Sequence, residues 1–154
     1  MEKLKKLIQD LESKIPNQEI LNPTISKSSV GWHIEHTLLT MNLVIEALQK
    51  SNPENYKWTF NFYRILVFTM NKIPRGRAKA PKVVQPKVDF NTESLKIHLE
   101  KGKTKLADLN AIGSGNYFEH PYFGHLTLKP TIKFLEIHTN HHLQIINDII
   151  KSRR

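Results

Sequence analysis

The stretch that decides the fold is "EIHTNHHLQIINDII", residues 136–150, close to the end of the chain. Its apolar residues recur every three or four positions, which is typical of an amphipathic helix. His138, His141 and His142 interrupt this pattern, although leucine would pack better on a buried helix face. The question is therefore what several imidazoles do on one helix.

Two of these three imidazoles belong to the apolar face. On a helical wheel with about 100° per residue, His138 and His142 lie inside the apolar stripe, and His141 lies roughly 100° from its centre. The i, i+4 spacing of His138 and His142 allows both to bind one metal ion. The stripe is completed by Leu128, Ile132, Leu135, Ile146 and Ile149.

A second helix also carries histidine on an apolar face. It is predicted to begin at a cap formed by Ser28 or Ser29 and to end near Lys50. His36 lies within its stripe, and His33 lies near the stripe's edge, about 60° away. The stripe also contains Trp32, Leu39, Leu43 and Ala47, and the polar face is formed by Glu35, Asn42, Glu46 and Gln49.

Buried imidazoles need partners, and a shared cation would supply them. Both ring nitrogens of a buried neutral imidazole require a partner, and each unpaired group costs on the order of 1–3 kcal/mol. The chain has no cysteine, so a metal would need His, Asp or Glu. The wheels therefore predict a divalent-metal site made by His36, His138 and His142, with a coordination position left for water. The alternative is a set of hydrogen-bonded core histidines.

The remaining sequence predicts more helices and two long connections. A first helix ends near Pro16, and residues 58–70, apolar on nearly every side, predict a buried helix. A fourth helix is capped by Asn91 or Thr92, and Thr127 caps the last. Residues 71–90 and 110–127 are predicted to be long loops. The predicted stripes are Leu4, Leu7, Leu11 and Ile15 in the first helix, and Leu95, Leu99, Leu106 and Leu109 in the fourth.

These elements predict one all-α domain over residues 1–154, with four helices long enough for a four-helix bundle. No apolar run approaches the roughly 20 residues of a membrane span, and the first residues do not resemble a secretory signal. We therefore expect a cytoplasmic protein with no membrane partner. The net charge of +9 is compatible with nucleic acid. However, the basic residues are dispersed, so a nucleic-acid partner is not favoured.

Four segments resemble a known superfamily. "SVGWHIEHTL" (29–38) and "HTNHHLQII" (138–146) resemble the ligand-bearing segments of DinB-like, or YfiT-like, metalloproteins. "PRGRAKAPKVVQP" (74–86) and "EHPYFGHLT" (119–127) are closer to an uncharacterised bacterial branch. The resemblance implies a four-helix bundle with an extra N-terminal helix or long connections. It also implies a zinc or nickel ion bound by His36, His138 and His142, and pairing into a homodimer.

The resemblance leaves the reaction open. Known enzymes of the superfamily use their ion to activate low-molecular-weight thiols, which implies a small-molecule ligand and a metal-dependent transferase or hydrolase-like enzyme. The alternative is a non-catalytic binding or stress-response module with a structural or vestigial histidine cluster. The chain has neither an H-E-x-x-H motif nor a glycine-rich phosphate loop, so a zinc protease or a phosphate-loop enzyme is not expected.

Several further residues are candidates around the site. His120, which with His125 flanks a loop, is a candidate for proton transfer or substrate contact, or else bonds backbone. His141 is an alternative ligand, Glu119 a candidate outer partner and His98 a core histidine. The basic loop is predicted either to bind an anionic substrate or to be solvated only. Its basic residues are Lys72, Arg75, Arg77, Lys79, Lys82 and Lys87. The aromatic residues expected in a pocket wall or in the core are Trp32, Trp58, Tyr63, Tyr117 and Tyr122.

Overall fold

The chain folds into a mostly helical structure, here a computed structural model that describes residues 1–76, 80–87 and 90–152. The helices are α1 (Glu2–Ser13), α2 (Val30–Lys50), α3 (Phe62–Met70), α4 (Thr92–Asp108) and α5 (Leu128–Lys151). A two-stranded sheet consists of β1 (Tyr117–His120) and β2 (Gly124–Thr127), and short 3₁₀ turns occupy Ile15–Asn17, Pro53–Asn55, Lys82–Val84 and Leu109–Ala111. Among the described residues, no helix combines the length and apolar composition needed to cross a bilayer.

One hydrophobic core lies between α1, α2, α4 and α5. Helix α2 packs against both α4 and α5, and α1 packs against the same two helices from the other side of the core. The predicted stripes of α1 and α4 enter this core: Leu4, Leu11, Leu95 and Leu99 are almost fully buried. The prediction of a mainly α-helical chain is confirmed, and α2 and α5 are the elements that carry the histidines.

Local caps explain where α2 and α4 begin. The Ser29 side chain, one of the two candidates, accepts a hydrogen bond from the Trp32 backbone N–H at 3.2 Å. Asn91 and Ser94 form a reciprocal capping box at the start of α4. These bonds satisfy backbone N–H groups that the first helical turn leaves without partners.

The buried face of α2 is wider than predicted, because α2 packs against two helices. Leu43 and Ala47, placed in the apolar stripe, are exposed, and Glu35 and Asn42, placed on the polar face, are buried. The Glu35 carboxylate instead pairs with the His98 ring of α4, at 2.7 Å. A polar residue can thus face the protein core when a neighbouring helix supplies a hydrogen-bonding partner for it.

The second predicted loop is replaced in part by a hairpin. Tyr117 pairs with Thr127 and His120 with Gly124 in an antiparallel register. Gly124 adopts φ +70°, a conformation that glycine accepts without steric cost. The hairpin delivers the chain directly to Thr127, which occupies the predicted N-cap position of α5.

The predicted burial of residues 58–70 is wrong. The helix forms as α3, but Phe62, Tyr63 and Met70 are 63%, 71% and 61% exposed. Val67 is the one residue of α3 that is buried. The sequence pattern identified a helix here, but not the face that it leaves to solvent.

We expect Ser29→Ala to lower the free energy of unfolding by about 1 kcal/mol, because the α2 cap loses its acceptor. Ser28→Ala is the matched control, since the neighbouring hydroxyl does not cap α2, and it should cost only a few tenths. Urea denaturation of both variants measures the difference. Equal losses would show that the cap contributes nothing.

Candidate metal centre

Three histidines from two helices meet inside the protein. His36 of α2 and His138 and His142 of α5 are buried, with 5%, 9% and 8% of their surfaces exposed. One ring nitrogen of each lies within 4.8 Å of one in each of the others. The three residues singled out from the wheels therefore come together, and as a group they could hold a metal ion.

The closest approach within this group fits a shared ion. His36 Nε2 and His138 Nε2 lie 3.2 Å apart. Two nitrogens bound tetrahedrally at about 2.0–2.1 Å from one zinc ion would lie about 3.3–3.4 Å apart. The His142 ring is near both, with centroid distances of 4.7 Å to His36 and 4.6 Å to His138. Little rearrangement is needed for two of the rings to bind one ion.

The His36 ring is fixed from its other side. Its Nδ1 donates to the backbone carbonyl of Val84 at 2.8 Å. A neutral imidazole carries one proton, so this bond leaves the lone pair of Nε2 directed at the group. Trp32 stacks against the same ring, with centroids 5.1 Å apart and planes 15° from parallel. These contacts hold both the tautomer and the orientation that a ligand requires.

The His142 ring has a comparable outer chain of contacts. His142 Nδ1 lies 3.0 Å from His33 Nδ1, and His33 Nε2 lies 2.9 Å from Ser26 Oγ. If His142 Nδ1 donates to His33, then His33 donates its remaining proton to the Ser26 hydroxyl. His142 Nε2 is then the unprotonated nitrogen that can bind a cation. Ser26 Oγ is held in place by the Ser28 backbone N–H, at 3.1 Å.

Burial keeps these imidazoles neutral. It lowers the pKa of His36, and it lowers the pKa values of His138 and His142 well below the ordinary value. Burial, and then the charge of a protonated His36, lower the pKa of His33 to about 4. Since metal ligation requires the unprotonated nitrogen, the group can bind a cation at neutral pH without first releasing protons.

The other candidate histidines lie outside the group. His141 is half-buried, and its ring bonds the backbone of Ile73. His120 Nδ1 accepts backbone N–H groups of Tyr122 and Phe123, at 3.1 and 3.2 Å. Of the two roles considered for His120, this contact fits the one in which its ring bonds backbone. Burial lowers the pKa of His120 to about 4.

Three further sequence candidates have positions away from the rings. His98 pairs with Glu35, as described above. His125 accepts the Lys57 backbone N–H at 2.9 Å and stacks on Tyr117. Glu119, the candidate outer partner, is exposed on β1. In the described part of the chain, the groups that fix the ligand rings are therefore a carbonyl and a histidine, not a carboxylate.

The basic loop contributes a backbone carbonyl to the site, that of Val84. Val84 is buried, whereas Lys72, Lys82 and Lys87 are exposed. Arg75 pairs with Asp148 at 2.8 Å. Arg77 and Lys79 lie outside the described residues. Of the aromatic candidates, Trp32 stacks on a site histidine and Tyr117 on His125, and the exposed ones are Trp58, Tyr63 and Tyr122.

Sequence reasoning missed most of the contacts around the rings. His33 was placed only at a stripe's edge, yet it is 5% exposed and touches His142. Nothing in the sequence pointed to Ser26. The Val84 carbonyl carries no side-chain signal at all, so only the folded chain reveals it as the partner of His36.

Comparisons with protein-family models, with curated proteins and with solved structures each give no match. What the fold and the site define is thus the kind of centre: a buried group of three neutral histidines between two packed helices, with outer contacts that orient at least two of them.

We expect the metal-free protein to lose stability as the pH falls from 6.5 towards 4. His33, His120 and His141 have pKa values of about 4 when folded and 6.5 as free side chains, so the unfolded chain takes up protons that the folded chain does not. Each such proton changes the free energy of unfolding by about 1.4 kcal/mol per pH unit. Urea denaturation with a chelator present should give a slope at least twice that value.

His120→Gln is the control for this titration, because it removes one of these protons without touching the three-histidine group. Its slope should fall by about one proton. A stability that stays constant through this pH window would show that the histidines are not held neutral by burial.

Proposed function

We propose that this chain is a cytoplasmic, DinB-like metalloprotein in which α1, α2, α4 and α5 form a four-helix bundle around one divalent ion. His36, His138 and His142 are the ligands, and zinc or nickel is the ion. The observation that carries the proposal is the convergence of three buried imidazoles that the sequence motifs had singled out. The segments that resemble the superfamily contain all three.

Three histidine ligands favour an ion with an open coordination position over an ion whose positions are all filled by protein. Three neutral imidazoles leave a coordination position free, at which a divalent ion lowers the pKa of water or activates a thiol. The chain's own residues orient the ligands: the Val84 carbonyl holds His36, and His33 holds His142. Trp32 covers the His36 ring and excludes water from that side.

The substrate we propose is a small molecule with an anionic part, such as a low-molecular-weight thiol. The segment that contains Val84 lies against His36, and its exposed lysines, Lys82 and Lys87, are close in sequence to that contact. They offer positive charge to a carboxylate near the site. On this proposal the reaction is a metal-dependent thiol transfer or a related hydrolysis.

One observation favours a second candidate, a non-catalytic module with a structural ion. All three histidines expose less than a tenth of their surface. Structural metal sites are closed, whereas catalytic sites keep a position accessible. Cobalt substitution separates the two, because a thiol should perturb the visible spectrum of an accessible ion and leave that of a closed one unchanged.

We expect protein purified without an affinity tag to contain one zinc or nickel ion per chain by elemental analysis. His36→Ala, His138→Ala and His142→Ala should each remove it, because two imidazoles do not retain the ion. His125→Ala is the matched control, since that ring bonds backbone elsewhere, and it should keep a full complement. Equally little metal in wild type and in His142→Ala would contradict the proposal.

We expect His33→Phe to weaken metal binding by about 10- to 100-fold, the range typical for outer contacts of metal ligands. The phenyl ring retains the packing and removes the nitrogen that faces His142. Competition with a chromogenic chelator measures the affinity. His98→Phe, at a histidine whose ring pairs with Glu35, should leave the affinity unchanged. Equal effects of both changes would assign them to general destabilisation.

A further inference from the structure

One nitrogen of the His120 ring has no hydrogen-bond partner among the described residues. His120 Nδ1 accepts the backbone N–H groups of Tyr122 and Phe123, at 3.1 and 3.2 Å. Because that nitrogen accepts, the proton of the neutral ring is on Nε2. Nε2 is not one of the buried unpartnered atoms in this part of the chain. The half-buried ring therefore presents a donor that a small ligand can reach.

The turn that holds this ring is itself bound to α3. Asn61 donates to the Tyr122 carbonyl at 2.8 Å, and the Arg64 guanidinium donates to the Phe123 carbonyl at 3.1 Å. The His120 ring stacks on Phe123, with centroids 4.3 Å apart and planes 13° from parallel. These contacts fix the direction of the Nε2–H bond before any ligand arrives, and a donor fixed in advance needs no reorganisation when it binds.

The ring also lies close to His138, one of the three histidines of the metal centre. The His120 and Phe134 rings have centroids 4.6 Å apart, and the Phe134 and His138 rings have centroids 5.5 Å apart. Phe134 precedes His138 by one turn of α5, and helical side chains lean towards the N-terminus of their helix. Burial, and then the charges of protonated histidines that include His120, lower the pKa of His138. The two imidazoles are thus near enough to interact electrostatically.

The donor points away from the turn. The two nitrogens of an imidazole lie on opposite sides of the ring, so Nε2 is directed away from the backbone groups that Nδ1 accepts. The hairpin formed by β1 and β2 packs against α2 and α5, the helices that carry the three histidines. Together with the contact through Phe134, this arrangement places an unused N–H beside the metal centre.

We propose that His120 Nε2 donates a hydrogen bond to the molecule that binds at the open coordination position of the ion, an inference that rests on the proposed function. Such a donor favours a ligand whose coordinating atom keeps a second lone pair, as in a thiolate, a carboxylate or azide. An amine nitrogen has its single lone pair on the ion and offers the donor no acceptor. The ligand class that His120 selects is therefore a small anion.

Two other roles for His120 fit its contacts less well. Action as a general base and ligation of the ion both require a ring nitrogen whose lone pair is available. The lone pair of Nδ1 is used by two backbone N–H groups, and Nε2 is protonated. The rings of Phe123 and Phe134 lie against the imidazole, and such apolar surroundings strengthen a hydrogen bond that the donor makes.

Azide titration of the cobalt-substituted protein tests the proposal, because azide that binds the ion changes its visible spectrum. In His120→Asn the amide oxygen can accept the same two backbone N–H groups, as asparagine does in turns, but the side chain ends short of Nε2. The cobalt content of this variant should equal that of wild type. Its azide Kd should rise about 10- to 100-fold, the range for a lost hydrogen bond to a charged group.

His125→Asn is the matched control, since it makes the same change at a histidine of β2 whose Nδ1 accepts the Lys57 backbone N–H at 2.9 Å. Its azide Kd should be that of wild type. Should His120→Asn fail to fold, NMR of the zinc-loaded wild type makes the test. Azide should move the resonance of the His120 Nε2–H proton downfield, and a resonance that does not move overturns the proposal.

The outcomes separate this inference from the proposed function. Equal azide affinities in wild type and His120→Asn, or equal losses in both asparagine variants, overturn the role of His120 and leave the metal site in place. A wild type whose bound cobalt does not respond to azide overturns the inference in favour of a closed, structural ion. A wild type that binds no cobalt overturns the proposed function, and this inference with it.

Discussion

The structure depends on how the nitrogens of several imidazoles are satisfied in the buried space between α2 and α5. Packing these two helices buries His36, His138 and His142 together. An imidazole removed from water retains a donor and an acceptor, and each must find a partner there. Three rings that point at one another cannot satisfy all of these groups among themselves, whereas one cation accepts a lone pair from each.

The surrounding fold directs the remaining nitrogens outwards. The 3₁₀ turn Lys82–Val84 brings a backbone carbonyl to His36 of α2, although Val84 lies 48 residues from His36 in sequence. The segment before α2 brings Ser26 to His33, which in turn contacts His142. Both contacts come from connections rather than from the core helices, so the loops of this protein determine how the rings are oriented.

The helical periodicity was enough to identify the three candidate ligand histidines but not the residues that contact them. His36, His138 and His142 could be predicted because a period of 3.6 residues places them on apolar faces, and such faces meet in the core. Glu35 was misplaced because its pairing with His98 is a contact between helices that no local pattern contains. The burial of α3 was misjudged for a related reason: Arg64 finds its partners in the chain around Thr59 and Phe123.

The hairpin formed by β1 and β2 shows another limit of sequence reasoning. Its strands have four residues each, too few for a clear alternation of apolar and polar side chains. Aromatic and histidine contacts accompany its backbone pairing: His120 stacks on Phe123 and His125 on Tyr117. From sequence alone, residues 117–127 looked like part of a glycine-rich loop. The ring contacts that accompany the hairpin form only once the chain has turned, so no local pattern shows them.

Anomalous X-ray diffraction from crystals of untagged protein, recorded on both sides of the zinc and nickel absorption edges, tests the central claim most directly. The account predicts one anomalous peak between α2 and α5, about 2.0–2.1 Å from one nitrogen each of His36, His138 and His142. It is contradicted by crystals grown with excess metal that show no peak there, with the three rings hydrogen-bonded to one another instead.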